Sequence, residues 1–218
     1  MFTKTHNQHN LNRRYSMFKK TAFTMLMLGF IWVSTPATAA VEIGEAAPKF
    51  AATDINGNVF NLADQAGKTV VLEWTNHDCP FVVKHYSTGN MQATQKTATD
   101  NGVVWVSIVS SADGKQGNVT AEEAQKIVEE KGAHATARIL DTSGEIGKLY
   151  GAKTTPHMFV ISAEGNTVYA GAIDDNPSPS PRAVEGAKNF VLSALDNIAA
   201  DVPVEVSNTV PYGCSVKY

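Results

Sequence analysis

Two short, unbroken apolar runs constrain this chain more than any other feature: KTVVLEW at residues 68–74 and VVWVSIV at residues 103–109. Neither alternates apolar with polar residues, so neither suits a sheet with one face in water. Each reads as a strand buried on both faces. Such strands need helices above and below, and two in succession imply a helical crossover and parallel pairing. The crossover is present in the sequence, since residues 80–98 (PFVVKHYSTGNMQATQKTA) carry a helical pattern that Gly89 weakens.

The flanking segments fit the same plan. FAATDINGNVFNL reads as a hairpin, Phe50–Ile55 and Val59–Leu62 about an Asn56-Gly57 turn. Residues Thr120–Lys131 form a helix opened by a Thr120/Glu123 capping box and closed by Gly132. A short strand near Arg138–Leu140 and a helix near Ser143–Tyr150 follow. Met158–Ser162 and Thr167–Ala172 then make an antiparallel pair, and a proline-rich loop (174–181) leads to a final helix at about Ala183–Ala200. The class is α/β, a mixed sheet with helices on both faces and an N-terminal β-hairpin.

The first 39 residues read as something else. A basic segment without acids (Lys4, Arg13, Arg14, Lys19, Lys20) precedes an apolar run from Ala22 to Val33 and then Ala37-Thr38-Ala39. This is the pattern of a cleavable signal peptide, too short to span a bilayer. Cleavage is expected after Ala39, with either Met1 or Met17 as the start, giving a periplasmic or secreted protein. Three parts follow: 1–39 signal peptide, 40–200 folded domain, 201–218 C-terminal tail. Removing five of the 18 basic residues leaves 13 against 21 acidic ones, a net charge near −8. That balance argues against nucleic acid as a partner and against stable membrane association after cleavage.

An exported chain with two cysteines can pair them, leave them free or cycle between the two states. Cys79 stands where the first apolar strand meets a helix, with Pro80 suited to the first helical position. A thiol at a helix N-terminus faces unpaired N–H groups that favour the thiolate. His77, two residues earlier, can add positive charge or shuttle a proton, whereas the negative charges of Glu73 and Asp78 oppose ionisation. Glu73 interrupts an apolar strand, and a desolvated carboxyl near the thiol could take and return its proton. The alternative for Glu73 is a side chain leaning into solvent. Asn76 and Val82 occupy the places where a vicinal cysteine would stand, so Cys214 is the only internal partner. It lies in a tail where Pro203 and Pro211 prevent continuous helix and Gly213 loosens the backbone. Thirteen residues beyond Asp201 reach up to about 45 Å, enough to cross the domain. A cycling pair, a permanent bridge and two unrelated thiols all remain open at this stage.

Taken together, GEAAPKFAATDINGNVFNL, KTVVLEW, Cys79-Pro80, TTPHMFVI and the closing ββα order resemble the thioredoxin-like superfamily, over about residues 43–200. Within it the chain is similar to the redoxin branch, the peroxiredoxin-like alkyl hydroperoxide reductase and thiol-specific antioxidant family. The resemblance implies a cis peptide at Thr155–Pro156 beside Cys79. It also implies a substrate pocket of Trp74, Asn76, Thr155, Pro156 and His157, and no cofactor. The implied chemistry is reduction of a hydroperoxide or disulfide by Cys79, with Cys214 as resolving thiol and an external thiol as reductant. The sequence departs from the peroxiredoxin pattern in having Asn76 where a Thr or Ser is usual, and neither Arg138 nor Arg182 in the usual arginine context. Alternatives are disulfide exchange with protein partners, copper binding through His77, Cys79 and His157, and a redox-inactive interaction module.

Overall fold

The computed structural model describes residues 41–218, so the expected signal peptide lies outside the described residues. Five strands form the central sheet: β3 (Val70–Trp74), β4 (Val104–Val109), β5 (Ala137–Leu140), β7 (His157–Ile161) and β8 (Thr167–Gly171). Their order is β5-β4-β3-β7-β8. β3 and β4 run parallel, as do β4 and β5, whereas β7 is antiparallel to both β3 and β8. The two apolar runs are therefore the parallel centre of a mixed, thioredoxin-like sheet, and every residue of β3 and β4 is buried.

Side chains alternate across this sheet because successive Cβ atoms point to opposite faces. Val70, Leu72 and Trp74 join one core cluster with Phe50 and Phe60 of the N-terminal hairpin (β1, Ala51–Thr53; β2, Val59–Asn61) and Ile146 and Tyr150 of α4 (Glu145–Tyr150). Val71 faces the other cluster, with Val82 and Tyr86 of α1 (Pro80–Ser87), Met91 and Ala98 of α2 (Asn90–Asp100), and Val191 and Ala194 of α5 (Phe190–Ala199). Helix α3 (Ala121–Lys131) has the expected capping box, Thr120 accepting from the Glu123 N–H while the Glu123 carboxylate accepts from that of Thr120.

Two element boundaries differ from the sequence expectation. The single helix expected over 80–98 is two helices, because Gly89 adopts a left-handed conformation (φ 77°) and breaks the ladder. The last helix starts at Phe190 rather than Ala183. Residues Pro181–Val184 make one 3-10 turn, Gly186 reverses the chain, and Asn189 caps α5 by accepting from the Leu192 N–H at 3.0 Å.

The tail is docked, where its composition suggested looseness. Ser207 and Thr209 bond the main chain of Ala170. The two-residue strand β9 (Cys214–Ser215) pairs antiparallel with β6 (Thr154–Thr155). Val216 N–H donates to the Lys153 carbonyl at 3.1 Å, and the Tyr218 hydroxyl to that of Ala152 at 2.8 Å.

Candidate functional site

Helix α1 begins where β3 ends, and the linking loop aims one thiol inward. Asn76, 1% exposed, shapes the loop: its side-chain oxygen accepts from the Asp78 N–H at 3.0 Å and its amide donates to the Gln116 carbonyl at 3.1 Å. Cys79 is the N-cap of α1, with extended backbone (φ −77°, ψ 123°) and Pro80 directly after it. Its side chain is fully buried, and Sγ lies 3.0 Å from the Thr155 carbonyl, to which the thiol donates. Thr155 precedes a cis peptide to Pro156. The Thr155 hydroxyl is buried without a partner, so it is free to donate once the sulfur is ionised.

The second cysteine meets the first at that same threonine. Cys214 stands opposite Thr155 in the β6–β9 pair and packs into the cluster that holds Cys79. Both thiols are free. Gly213 explains how the tail comes so close. Its φ is 131°, and a Cβ placed there would lie 2.0 Å from the Thr155 carbonyl oxygen. The sequence suggests a glycine that loosens the chain, but its structural role is to admit a close main-chain contact.

The two thiols are electrostatically unequal. Burial pushes Cys79 up, but hydrogen bonds from the Cys214 thiol, the Thr155 side chain and the main chain of Cys214 and Val82 outweigh it, and Cys79 ends below its ordinary value. Cys214 is pushed up to about 11, by burial first and then by its hydrogen bond to Cys79 and the charge there. Cys79 is thus the favoured thiolate and Cys214 the favoured thiol.

The other expected site residues divide. His77 is part-buried, with Nε2 3.5 Å from the Asp78 carboxylate. Trp74 and His157 are paired across β3 and β7 on the opposite face of the sheet from Cys79. Trp74 is core, its indole donating to Ser110 at 3.0 Å. His157 accepts from the Lys153 N–H at 3.3 Å and stacks on Phe159 at 4.5 Å, and burial lowers it to about 4. Glu73 neither reaches solvent nor hydrogen-bonds to Cys79. It is fully buried and accepts from Tyr86 (2.9 Å), Gln95 (2.9 Å), Trp105 (2.8 Å) and Ser107 (3.1 Å). Among the described residues, no three or more His, Cys, Asp or Glu side chains come together as metal ligands.

Two features were not legible in the sequence. Arg138, 5% exposed, shares a sheet row with Glu73 and Ser107. With Thr75 and His77 it lines a cavity of about 20 Å³, room for a single water. The second is a buried polar cluster around Asp174 that receives Tyr212 from the tail. An arginine inside an apolar run was its only sequence signal; for the Asp174 cluster there was none, because its members are far apart in the chain.

The Redoxin family profile matches residues 42–188. The chain belongs to the redoxin family, and with that membership comes thiol-based redox chemistry. It is similar to an uncharacterized conserved protein from Geobacillus kaustophilus (26% identity, TM-score 0.71, covering 81% of this chain and 92% of that one). A hypothetical protein from Sinorhizobium meliloti is comparable (26%, TM-score 0.69, 83% and 96%). A protein assigned as thiol:disulfide interchange protein DsbE from Chlorobium tepidum shares the fold (23%, TM-score 0.50, 60% and 85%). No curated protein matches the chain.

Proposed function

We propose that this redoxin is an exported thiol oxidoreductase that cycles between a dithiol and a Cys79–Cys214 disulfide, with a hydroperoxide as its oxidising substrate. The observation that carries the reading is the meeting of the two thiols at Thr155, one at a helix start where its ionisation is favoured and the other delivered by a paired strand. Cys79 is fully buried with the tail in place, which favours a small oxidant over a protein disulfide. Export is motivated by the leader-like residues 1–39, and a mature N-terminus at Ala40 tests it.

In the first step the Cys79 thiolate attacks one peroxide oxygen. An S–O bond forms, the O–O bond breaks, and the leaving alkoxide takes a proton, giving an alcohol and Cys79 sulfenic acid. That step removes the negative charge at Cys79, which is one cause of the raised Cys214 value. Cys214 then ionises more readily and attacks the sulfenic sulfur, forming the disulfide and releasing water. An external dithiol reduces the bridge by exchange. Glu73 has no part in proton transfer in this scheme, since its hydrogen bonds run to four other side chains. Trp74 and His157 line the opposite side of the sheet and are assigned to packing.

The test is intact mass after limiting peroxide. The protein should lose two hydrogens, with a peptide map linking Cys79 to Cys214. Cys79→Ser should abolish turnover, and Cys214→Ser should let Cys79 over-oxidise or form mixed disulfides. A Cys214→Ser protein with full turnover would refute the pairing. The first step should run about 100- to 1000-fold slower than in a complete peroxiredoxin site, because among the described residues no arginine hydrogen-bonds at the thiol to stabilise the leaving oxygen. Stopped-flow peroxide kinetics check this.

A further inference from the structure

The tail enters the domain through a side chain that the redox chemistry does not use. Tyr212 inserts its hydroxyl into a cluster of buried charged and polar groups. The hydroxyl donates to the Asp174 carboxylate, and His85 Nε2 lies 3.3 Å from it. Asp174 is 3% exposed, and Lys84 and His85 are fully buried. Lys84 Nζ donates to the Asn176 carbonyl at 2.7 Å, stands 3.6 Å from the Asp174 carboxylate, and lies 5.0 Å from the Tyr212 ring centre. Phe81 packs on the same ring at 5.8 Å. Burial and the Lys84 charge push His85 down to about 3, so its ring is neutral. Asn90 sits 2.8 Å from Nδ1 and donates to it, which places the ring proton on Nε2. The donors therefore run in one direction, from Asn90 to His85 to Tyr212 to Asp174.

We propose that this cluster is a latch and that Tyr212 is the positioning residue for Cys214. The inference rests on the thiol cycle above. Tyr212 and Cys214 are two positions apart, roughly 7 Å of extended chain. The residue between them, Gly213, lies flat against the Thr155 carbonyl and leaves no slack. Fixing the Tyr212 hydroxyl therefore fixes where Cys214 sits relative to Cys79. Asp174, Lys84 and His85 all belong to the domain and are buried with the tail seated. Asp174 Oδ1 already accepts from the Asn176 N–H at 3.1 Å, and the Tyr212 hydroxyl adds a second donor there; a hydrogen bond to a buried carboxylate holds the tail strongly. The gain is effective concentration, because a tethered and oriented thiol outcompetes thiols in solution.

The test is the Tyr212→Phe variant, which keeps the ring against Phe81 and Lys84 and removes only the hydroxyl. The fraction of Cys79–Cys214 disulfide is measured against glutathione redox buffers, alongside the melting temperature of the reduced protein. The expected result is a disulfide equilibrium constant lowered about tenfold or more. A Cys79–glutathione mixed disulfide should accumulate that wild type does not show. A lowered melting temperature with an unchanged disulfide equilibrium means Tyr212 is merely structural and overturns the latch. A wild-type protein that forms no internal disulfide overturns the thiol cycle and the latch together. A wild-type disulfide whose equilibrium matches that of Tyr212→Phe overturns the latch alone.

Discussion

Two buried polar clusters share helix α1, and they are assembled from different kinds of parts. The Glu73 cluster draws Tyr86 from α1, Gln95 from α2 and Trp105 and Ser107 from β4, all within one stretch of the scaffold. The Asp174 cluster joins Lys84 and His85 of α1 to a loop residue and to Tyr212, 38 residues further on in the tail. A network closed within the scaffold fixes the core, because every member is already held by a strand of the sheet or a helix packed on it. A network that needs a group from a detachable segment fixes that segment. The first carries fold stability, and the second carries the position of a cysteine.

The sharpest way to break the comparison is at Glu73. Glu73→Ala removes the shared acceptor of four buried donors, of which only Gln95 keeps another acceptor, the Tyr86 hydroxyl, and the loss should be roughly 3–5 kcal/mol of folding stability. Glu73→Gln keeps one acceptor oxygen and should cost distinctly less. Denaturant unfolding of the reduced protein measures both. A stable Glu73→Ala protein with impaired peroxide reaction would reverse the assignment and return Glu73 to the chemistry.

Gly213→Ala probes the detachable side with a smaller effect on the whole. The added Cβ would meet the Thr155 carbonyl oxygen at 2.0 Å, and main chain cannot yield as a flexible side chain can. The β6–β9 pair should open, leaving the central sheet intact. Expected are alkylation of Cys214 faster by about tenfold, lower disulfide yield, and folding stability within about 1 kcal/mol of wild type. Mass-resolved alkylation kinetics and a denaturation curve check the two halves. A large stability loss would mean the tail is part of the core.

The contrast also separates what the sequence could and could not disclose. The parallel centre was legible because burial on both faces leaves unbroken apolar runs such as 68–74, and the α3 cap because its signal lies within four residues. The cis Thr155–Pro156 peptide and the position of Cys79 followed from TTPHMFVI and Cys79-Pro80, local motifs with fixed geometry. Legibility failed where the deciding partner is remote. Glu73 looked like a thiol's base because its four donors, 13 to 34 residues further on, leave no mark beside it in the sequence. His157 looked close to the thiol because it follows Pro156, yet strand alternation turns it to the opposite face. The length of the tail showed that it can reach Cys79, but how it docks was hidden because Pro203, Pro211 and Gly213 signal only what the chain cannot do. What it does is set by Thr155, Lys153 and Asp174, none adjacent in sequence.

The finest test asks how far the two cysteines sense each other. Cys214 is pushed up from an ordinary 9.0 to about 11, so the folded protein favours its thiol form. That preference supports folding fully below the unfolded value, and the support is lost as pH rises through about 11. Cys79 runs the other way, its lowered value adding stability that is present above 9.0 and lost as pH falls through the folded value. Of the causes that raise Cys214, burial belongs to the docked tail, while the hydrogen bond and the charge belong to Cys79. Cys79→Ala removes the last two and keeps the first. Ultraviolet thiolate absorbance across a pH titration should then place Cys214 below 11 but not below an ordinary thiol. A Cys214 that still titrates near 11 would show burial acting alone. The resolving thiol would then gain no readiness when Cys79 is oxidised, and the order of steps would have to rest on the latch.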